Sequence, residues 1–334
     1  MFKEFEIVNG VLRKYYGFGG NVVIPDGVKR IGQGVFEDCD GLISVRIPEG
    51  VKVICDRAFS ECTSLESVII PDSVTRIGRE AFYNCESMEE LVIGSGVGII
   101  EDRAFEDCVS ITSLTVPGNV ARLCDSAFGG CTGIEKLELH EGVKYIDEDC
   151  FFGCDSLVEV KLPESLEELG NSAFQECYGL KRAVIPCGIK QMGGSIFDDC
   201  DSLEEVVLCE GIEIISPYAF SGCTSLYKIK LPDSLQCIGN GAFRDCCALR
   251  GLVIPRSVVD MKASFIGCLP GSVVLEEGNE VYKQVDGSIY NADGTVLVCY
   301  LGESKRFTVP YGVKIIGENA FAECSHITGC GYLR

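Results

Sequence analysis

Apolar and polar positions along this chain recur with a period of 23 residues, as in the stretch V-I-I-P-D-S-V-T-R-I-G-R-E-A-F-Y-N-C-E-S-M from Val68 to Met88. The residue before the recurring proline position is always Ile, Val or Leu (Ile47, Ile70, Ile93, Val116, Leu139). So, apart from Ala183, is the residue three before it (Val45, Val68, Leu91, Leu114), while the positions between vary. This alternation predicts a strand with one buried face, ended by a proline that cannot donate to the ladder. Beyond it, Val74, Ile77, Ala81, Phe82 and Cys85 have roughly helical spacing, which predicts a short helix or 3-10 turn with its apolar side inward. Glycine at the Ile-Gly step (Gly32, Gly78, Gly170, Gly193, Gly239) predicts a tight turn between strand and helix.

The same period governs Cys39, Cys62, Cys85, Cys108, Cys131, Cys154, Cys177, Cys200, Cys223 and Cys246. Pro25, Pro48, Pro71, Pro117, Pro163, Pro186, Pro232 and Pro255 follow it, with Gly94, His140 and Cys209 in the intervening slots. Two further copies, at Phe265/Cys268 and at Pro310/Phe321/Cys324, break the strict spacing. A unit this short cannot bury its apolar residues alone, so the units must stack on one another. The expected fold is an α/β repeat solenoid of about twelve coils, with a parallel β-sheet on the concave face and short helices or 3-10 turns on the convex face.

The pattern I-P-x-x-V-x-x-I-G-x-x-A-F-x-x-C-x-S-L, seen in Ile70 to Met88 and Leu231 to Leu249, resembles the BspA-like (Treponema pallidum-type) leucine-rich repeat of bacterial surface proteins. The resemblance runs from about Asn21 to Cys330, and Phe5 to Leu12 is similar to the N-terminal cap of such proteins. It implies a right-handed leucine-rich-repeat solenoid acting as a binding or adhesion scaffold, and it implies no catalytic residues.

Stacked repeats need covered ends. Phe5 to Tyr16 alternates around Asn9-Gly10, a strong hairpin signal, and residues 1–20 are read as a cap. Residues 21–334 are then one continuous solenoid, interrupted at about 277–306. There Asp286-Gly287 and the turn from Asn291 to Gly294 separate alternating Tyr290, Val296 and Val298, predicting a hairpin in place of one coil's arc. After Cys324 only His326, Ile327, Cys330 and Leu333 remain as notable positions, so weak self-association through the C-terminal coil is expected.

Composition changes the picture in three ways. Length alone, 334 residues, would suggest two or three domains, but the repeat argues for one. A net charge of -21, with no Lys/Arg stripe along the sequence, argues against nucleic acid and anionic membranes as partners. Met1 to Gly10 carries acids where an export signal would be apolar, and no run is long enough to span a bilayer, so localisation rests on the resemblance, which points to the cell surface or secretion.

The 21 cysteines raise a redox question. Side chains stacked in one column point in parallel rather than toward each other, so the periodic thiols read as small buried residues. Off-period Cys187, Cys209, Cys247, Cys299 and Cys330 are better bridging candidates, and Cys187 and Cys209 fall on adjacent coils. No C-x-x-C pair exists, His140 occupies a proline slot, and His326 has no second histidine nearby, so no metal site is expected. The turn from Asn291 to Gly294 lacks calcium-loop ligands, since Ile289 and Gly302 would fall at the first and twelfth positions. Gly17-Phe18-Gly19-Gly20 precedes a strand rather than opening a helix and reads as a turn, not a phosphate loop. With no nucleophile–base arrangement legible, neither an enzyme nor a cofactor is expected.

What remains is the strand face. Four residues before each proline slot, Lys136, Glu159, Arg182, Glu205 and Lys228 alternate in sign, which reads as neutralisation between neighbouring strands. Two residues before it, Val23, Ile69, Val92, Val184, Val207 and Val253 are apolar where exposure is predicted, beside charged Arg46, Glu138, Lys161 and Lys230. The adjacent apolar pairs Ile69/Val92 and Val184/Val207, the four charged residues and Tyr227 are the nine candidate contacts for a protein or other macromolecular partner. An intracellular interaction module is the contrasting reading, favoured by many free thiols. A carbohydrate binder would want several aromatic platforms, and only Tyr227 lies near this face.

Overall fold

The computed structural model describes residues 4–324 and 327–332. The chain forms two compact units: Met1–Leu180 with Gly188–Gln191, and Lys181–Cys187 with Met192–Arg334. Together they hold about 13 β-solenoid turns of about 23 residues.

In the first unit each coil contributes one longer strand ahead of the proline slot and one two-residue strand after it. Gly20–Val23, Leu42–Arg46, Ser67–Ile69 and Glu90–Val92 pair in parallel, with Val22 opposite Val45, Val45 opposite Val68, and Val68 opposite Leu91. The period of the sequence is thus the register of the sheet, and inward residues such as Val68 and Ile70 are buried while Ile69 is exposed. The short strands, from Arg30–Ile31 to Glu168–Leu169, make a second parallel sheet along the other side of the coils. Val11–Tyr15 joins that sheet beside Arg30–Ile31, and Phe5–Val8 pairs with it antiparallel through a turn in which Asn9 and Gly10 both have positive φ.

No α- or 3-10 helix occurs among the described residues, so the expected helical arc is a chain of turns instead. Two residues per coil hold left-handed backbone, for example Glu80 (φ 54°) and Asn84 (φ 55°), and a right-handed helix cannot run through either. Alternate amides then point along the stack: Glu80, Phe82 and Asn84 donate to Asp102, Ala104 and Glu106 of the next coil at 2.8–2.9 Å. Ala81 and Tyr83 donate locally, to Gly78 and Glu80, at 3.2 Å. The apolar spacing was helix-like because the turns bring Val74, Ile77, Ala81, Phe82 and Cys85 to the inside of the coil without a helical backbone. Glycine at the Ile-Gly step also has another reason. Gly78 is not left-handed; a Cβ there would stand 2.6–2.8 Å from atoms of Cys55 and Asp56, so close coil approach, not turn geometry, selects it.

The arcs stack Phe36, Phe59, Phe82, Phe105, Phe128, Phe151 and Phe174 with centroid spacings of 4.8–5.7 Å and near-parallel rings. The rise between strands sets this spacing, and the offset stack fills each layer.

In the second unit Arg182–Ile185, Glu205–Leu208 and Lys228–Lys230 pair in parallel, and Leu252–Ile254 pairs with Val273–Leu275 in a separate sheet. Where the period lengthens, Tyr282–Val285, Ser288–Asn291 and Val296–Cys299 form an antiparallel three-strand meander rather than a single hairpin. Val296–Cys299 also pairs with Ile315–Ile316, and Arg306–Val309 pairs with Gly329–Tyr332. Tyr290, Leu297, Tyr300, Phe307, Val309 and Ala320 close a core over this region. His326 and Leu333 lie outside the described residues.

Candidate partner-binding face

Strand alternation turns the candidate contacts outward. Val23, Arg46, Ile69 and Val92 lie side by side on successive strands of the first unit, with Ile69 60% exposed. Arg46 interrupts this apolar column and reaches Asp26 at 3.7 Å. Further along, Glu138 sits 3.1 Å from His140, and Lys161 is exposed. His140 is therefore a strand-end residue with a carboxylate neighbour.

In the second unit Val184, Val207 and Lys230 occupy one register column. Val207 is exposed and Val184 half-buried, while Tyr227, three residues before Lys230 on the same coil, stands 58% exposed. The charge alternation predicted on this face is realised as ion pairs: Glu205 accepts from Arg182 at 3.3 Å and from Lys228 at 2.6 Å, and these cations hold its carboxyl below the usual range. Exposed pairs like these contribute about 0–1 kcal/mol each, enough to favour register but not to carry the fold.

Val253, at the position the pattern predicts outward, is 51% exposed and opposite Val274, whereas the pattern did not single out position minus five, where Ile43, Val158 and Arg250 are exposed. Strict alternation from the proline slot predicts that position inward, but it lies at or just before the start of the strand, where the alternation does not hold. Exposure at Tyr227 was the one signal of it.

The periodic thiols lie inside. Cys62, Cys85, Cys108 and Cys131 are fully buried, and each Sγ donates to the carbonyl of the phenylalanine 26 residues earlier, at 3.1–3.3 Å. Burial pushes the Cys62 thiol up to about 12, and that of Cys85 well above its ordinary value. Cys187 and Cys209 form a disulfide with Cα atoms 5.0 Å apart, at the ends of the strands that carry Val184 and Val207. Cys247 is exposed as a free thiol, Cys299 is buried and free, and Cys330 has no described side chain.

Among the described residues, no three His, Cys, Asp or Glu side chains gather with metal-holding geometry, and no helix is long and apolar enough to cross a membrane. Stacked coils, a ladder of buried phenylalanines and an open strand face define a repeat scaffold of the leucine-rich class. The chain belongs to the BspA type leucine rich repeat family, whose signature matches residues 19–135, 124–250, 195–269 and 299–330. No catalytic family is indicated. The fold resembles a leucine-rich repeat protein from Bacteroides ovatus (24% identity, covering 100% of this chain and 99% of that one, TM-score 0.53). It also resembles a leucine rich cell surface protein from Faecalibacterium prausnitzii (21% identity, 97% and 90% covered, TM-score 0.50) and the pneumococcal vaccine antigen PcpA (20% identity, 96% and 80% covered, TM-score 0.54). The chain matches no curated protein sequence.

Proposed function

We propose that the protein is a non-enzymatic scaffold whose longer-strand face binds a protein partner, in a cell-surface, adhesion-type role. The observation that carries this reading is the row of outward β-branched residues at a position where a solvated sheet face would be polar: Ile69 with Val92, and Val184 with Val207. Membership of a repeat-scaffold family supports binding over catalysis, and the surface description carried by the Faecalibacterium protein supports the location. An intracellular interaction module is the second reading, favoured by a column of thiols that stay unbridged.

Two measurements test this. Val184→Lys with Val207→Lys is expected to weaken binding of an identified partner by about tenfold or more while leaving the circular-dichroism melt unchanged. Unchanged affinity in this variant and in Ile69→Lys with Val92→Lys would remove the face from the proposal. Labelling intact cells with a membrane-impermeant amine reagent should tag the chain; tagging only after lysis would favour the intracellular reading.

A further inference from the structure

The two units carry opposite charge on equivalent strand-face positions. Counting positions five, four and two residues before the proline slot, coils from Ile43 to Lys161 present Arg46, Lys136 and Lys161 against Glu66, Glu89, Glu90, Glu135, Glu138 and Glu159, a net -3. The same positions from Lys181 to Val253 present Lys181, Arg182, Lys228, Lys230 and Arg250 against Glu204 and Glu205, a net +3. A local cationic surface on a chain of net charge -21 is opposed by the rest of the molecule, so it needs a reason beyond solubility. It is invisible along the sequence because its cations come from residues dozens of positions apart.

This surface also has a recess. At Gly251 the backbone turns left-handed (φ 61°), and its amide donates forward to Gly271 at 3.1 Å. The equivalent amides of Glu205 and Lys228 instead donate back, to Lys181 and Glu204, at 3.0–3.1 Å. Lys228–Lys230 and Leu252–Ile254 therefore belong to separate sheets, and a cleft of about 360 Å3 opens between them. Buried Leu249 and Leu252 and half-buried Ile229 line it together with exposed Tyr227, Val253, Lys230 and Arg250. Arg250 is braced by donating Nη1 to the carbonyls of Cys247 and Leu249 at 2.9 and 2.6 Å. The Lys230 side chain is 84% exposed, with Glu210 3.9 Å away. Of the acids lining the cleft, Glu276 already accepts the Arg256 amide at 2.8 Å, and Asp233 is the other.

We propose, building on the strand-face reading above, that this cleft anchors an extended acidic segment of a partner protein. A large apolar side chain enters between Tyr227 and Val253, and flanking carboxylates pair with Lys230 and Arg250. Val184 and Val207 lie in the register column of Lys230, on the same face. An apolar lining with two exposed cations, one of its two acids already held by the Arg256 amide, suits alternating apolar and acidic side chains, whereas a nucleic-acid strand would want several stacking platforms and would meet the repulsion of the whole chain.

The test uses the full chain and a fluorescein-labelled peptide of glutamates around two leucines, read by fluorescence anisotropy. Controls replace the leucines by serine, replace the glutamates by lysine, or substitute a single-stranded oligothymidine. The acidic leucine peptide should bind about tenfold tighter than every control and weaken as salt rises. Lys230→Glu with Arg250→Glu should cost about tenfold or more, and Lys230→Ala with Arg250→Ala less. Circular-dichroism melts confirm that each variant folds. Equal binding of the lysine peptide or the oligonucleotide, or indifference to both cleft variants, overturns the proposal. If an identified partner loses affinity with Ile69→Lys and Val92→Lys but not with the cleft variants, the cleft fails and the strand-face reading stands. If no strand-face substitution matters, both fall.

Discussion

A single residue type, the periodic cysteine, shows how much one position can be asked to do. Its burial was legible from spacing alone, because a column of equivalent side chains can only stack. Its hydrogen bond was not, since the acceptor, Phe82 for Cys108, is set by how one arc nests under the next. The outcome is a thiol that packs as a small apolar group and gives the phenylalanine carbonyl a donor from the next coil, in several coils beside a backbone amide, as Phe105 also accepts from the Cys108 amide at 3.3 Å. It also ties stability to pH. Burial raises Cys62 and Cys299 from an ordinary 9.0 to about 12 in the folded chain. The unfolded chain then releases those protons first as pH climbs, so the stability is complete below pH 9 and is lost progressively toward 12. Each such thiol costs about 1.4 kcal/mol per pH unit over that window. The urea midpoint is expected to hold up to about pH 9 and to fall steadily above it; a flat profile above pH 9 would mean that these thiols titrate normally in the fold.

At the scale of the element, the strands were legible and the arcs were not. Proline and alternation specify the strand within a few residues, because both act locally. The arc's conformation depends on amides that bond to the neighbouring coil, and apolar spacing cannot distinguish that from a helix. A signal was nonetheless present: the residue before each cysteine is Asp, Asn, Gly or Glu (Asp38, Asn84, Asp107, Gly130), the types that tolerate left-handed backbone best apart from Glu. This yields a sharp discriminator at Asp38, where φ is 59°. In a helical arc, Asp38→Ala would be more stable than Asp38→Gly by about 1 kcal/mol. In the observed turn the order reverses by about 1 kcal/mol, because alanine meets the left-handed penalty and glycine does not. Thermal melts of the two variants decide between them, and a more stable alanine variant would contradict the turn geometry.

At the scale of the molecule, the period itself was the most legible feature, and the site the least. Ile69 and Val207 could be read as outward from alternation, but the cleft beside Tyr227 depends on one glycine leaving the ladder, and no local pattern around Gly251 announces that. The period makes a prediction that neither residue nor element can. Because each coil bonds chiefly to its neighbours, a whole coil should be removable if the columns on either side meet again in register. Deleting residues 86–108 joins Cys85 to Val109 and leaves Phe82 to stack on Phe128 as it now does on Phe105, at about 5 Å. Such a chain should fold, with a modest loss of melting temperature from one lost interface. Deleting residues 86–107 instead removes one residue fewer, so every strand beyond the join must either invert its buried and exposed faces or leave the sheet. That chain should fail to melt cooperatively. Similar melts for both deletions would show that the columns of cysteine and phenylalanine do not set the register, and that the stack tolerates slippage the sequence gives no sign of.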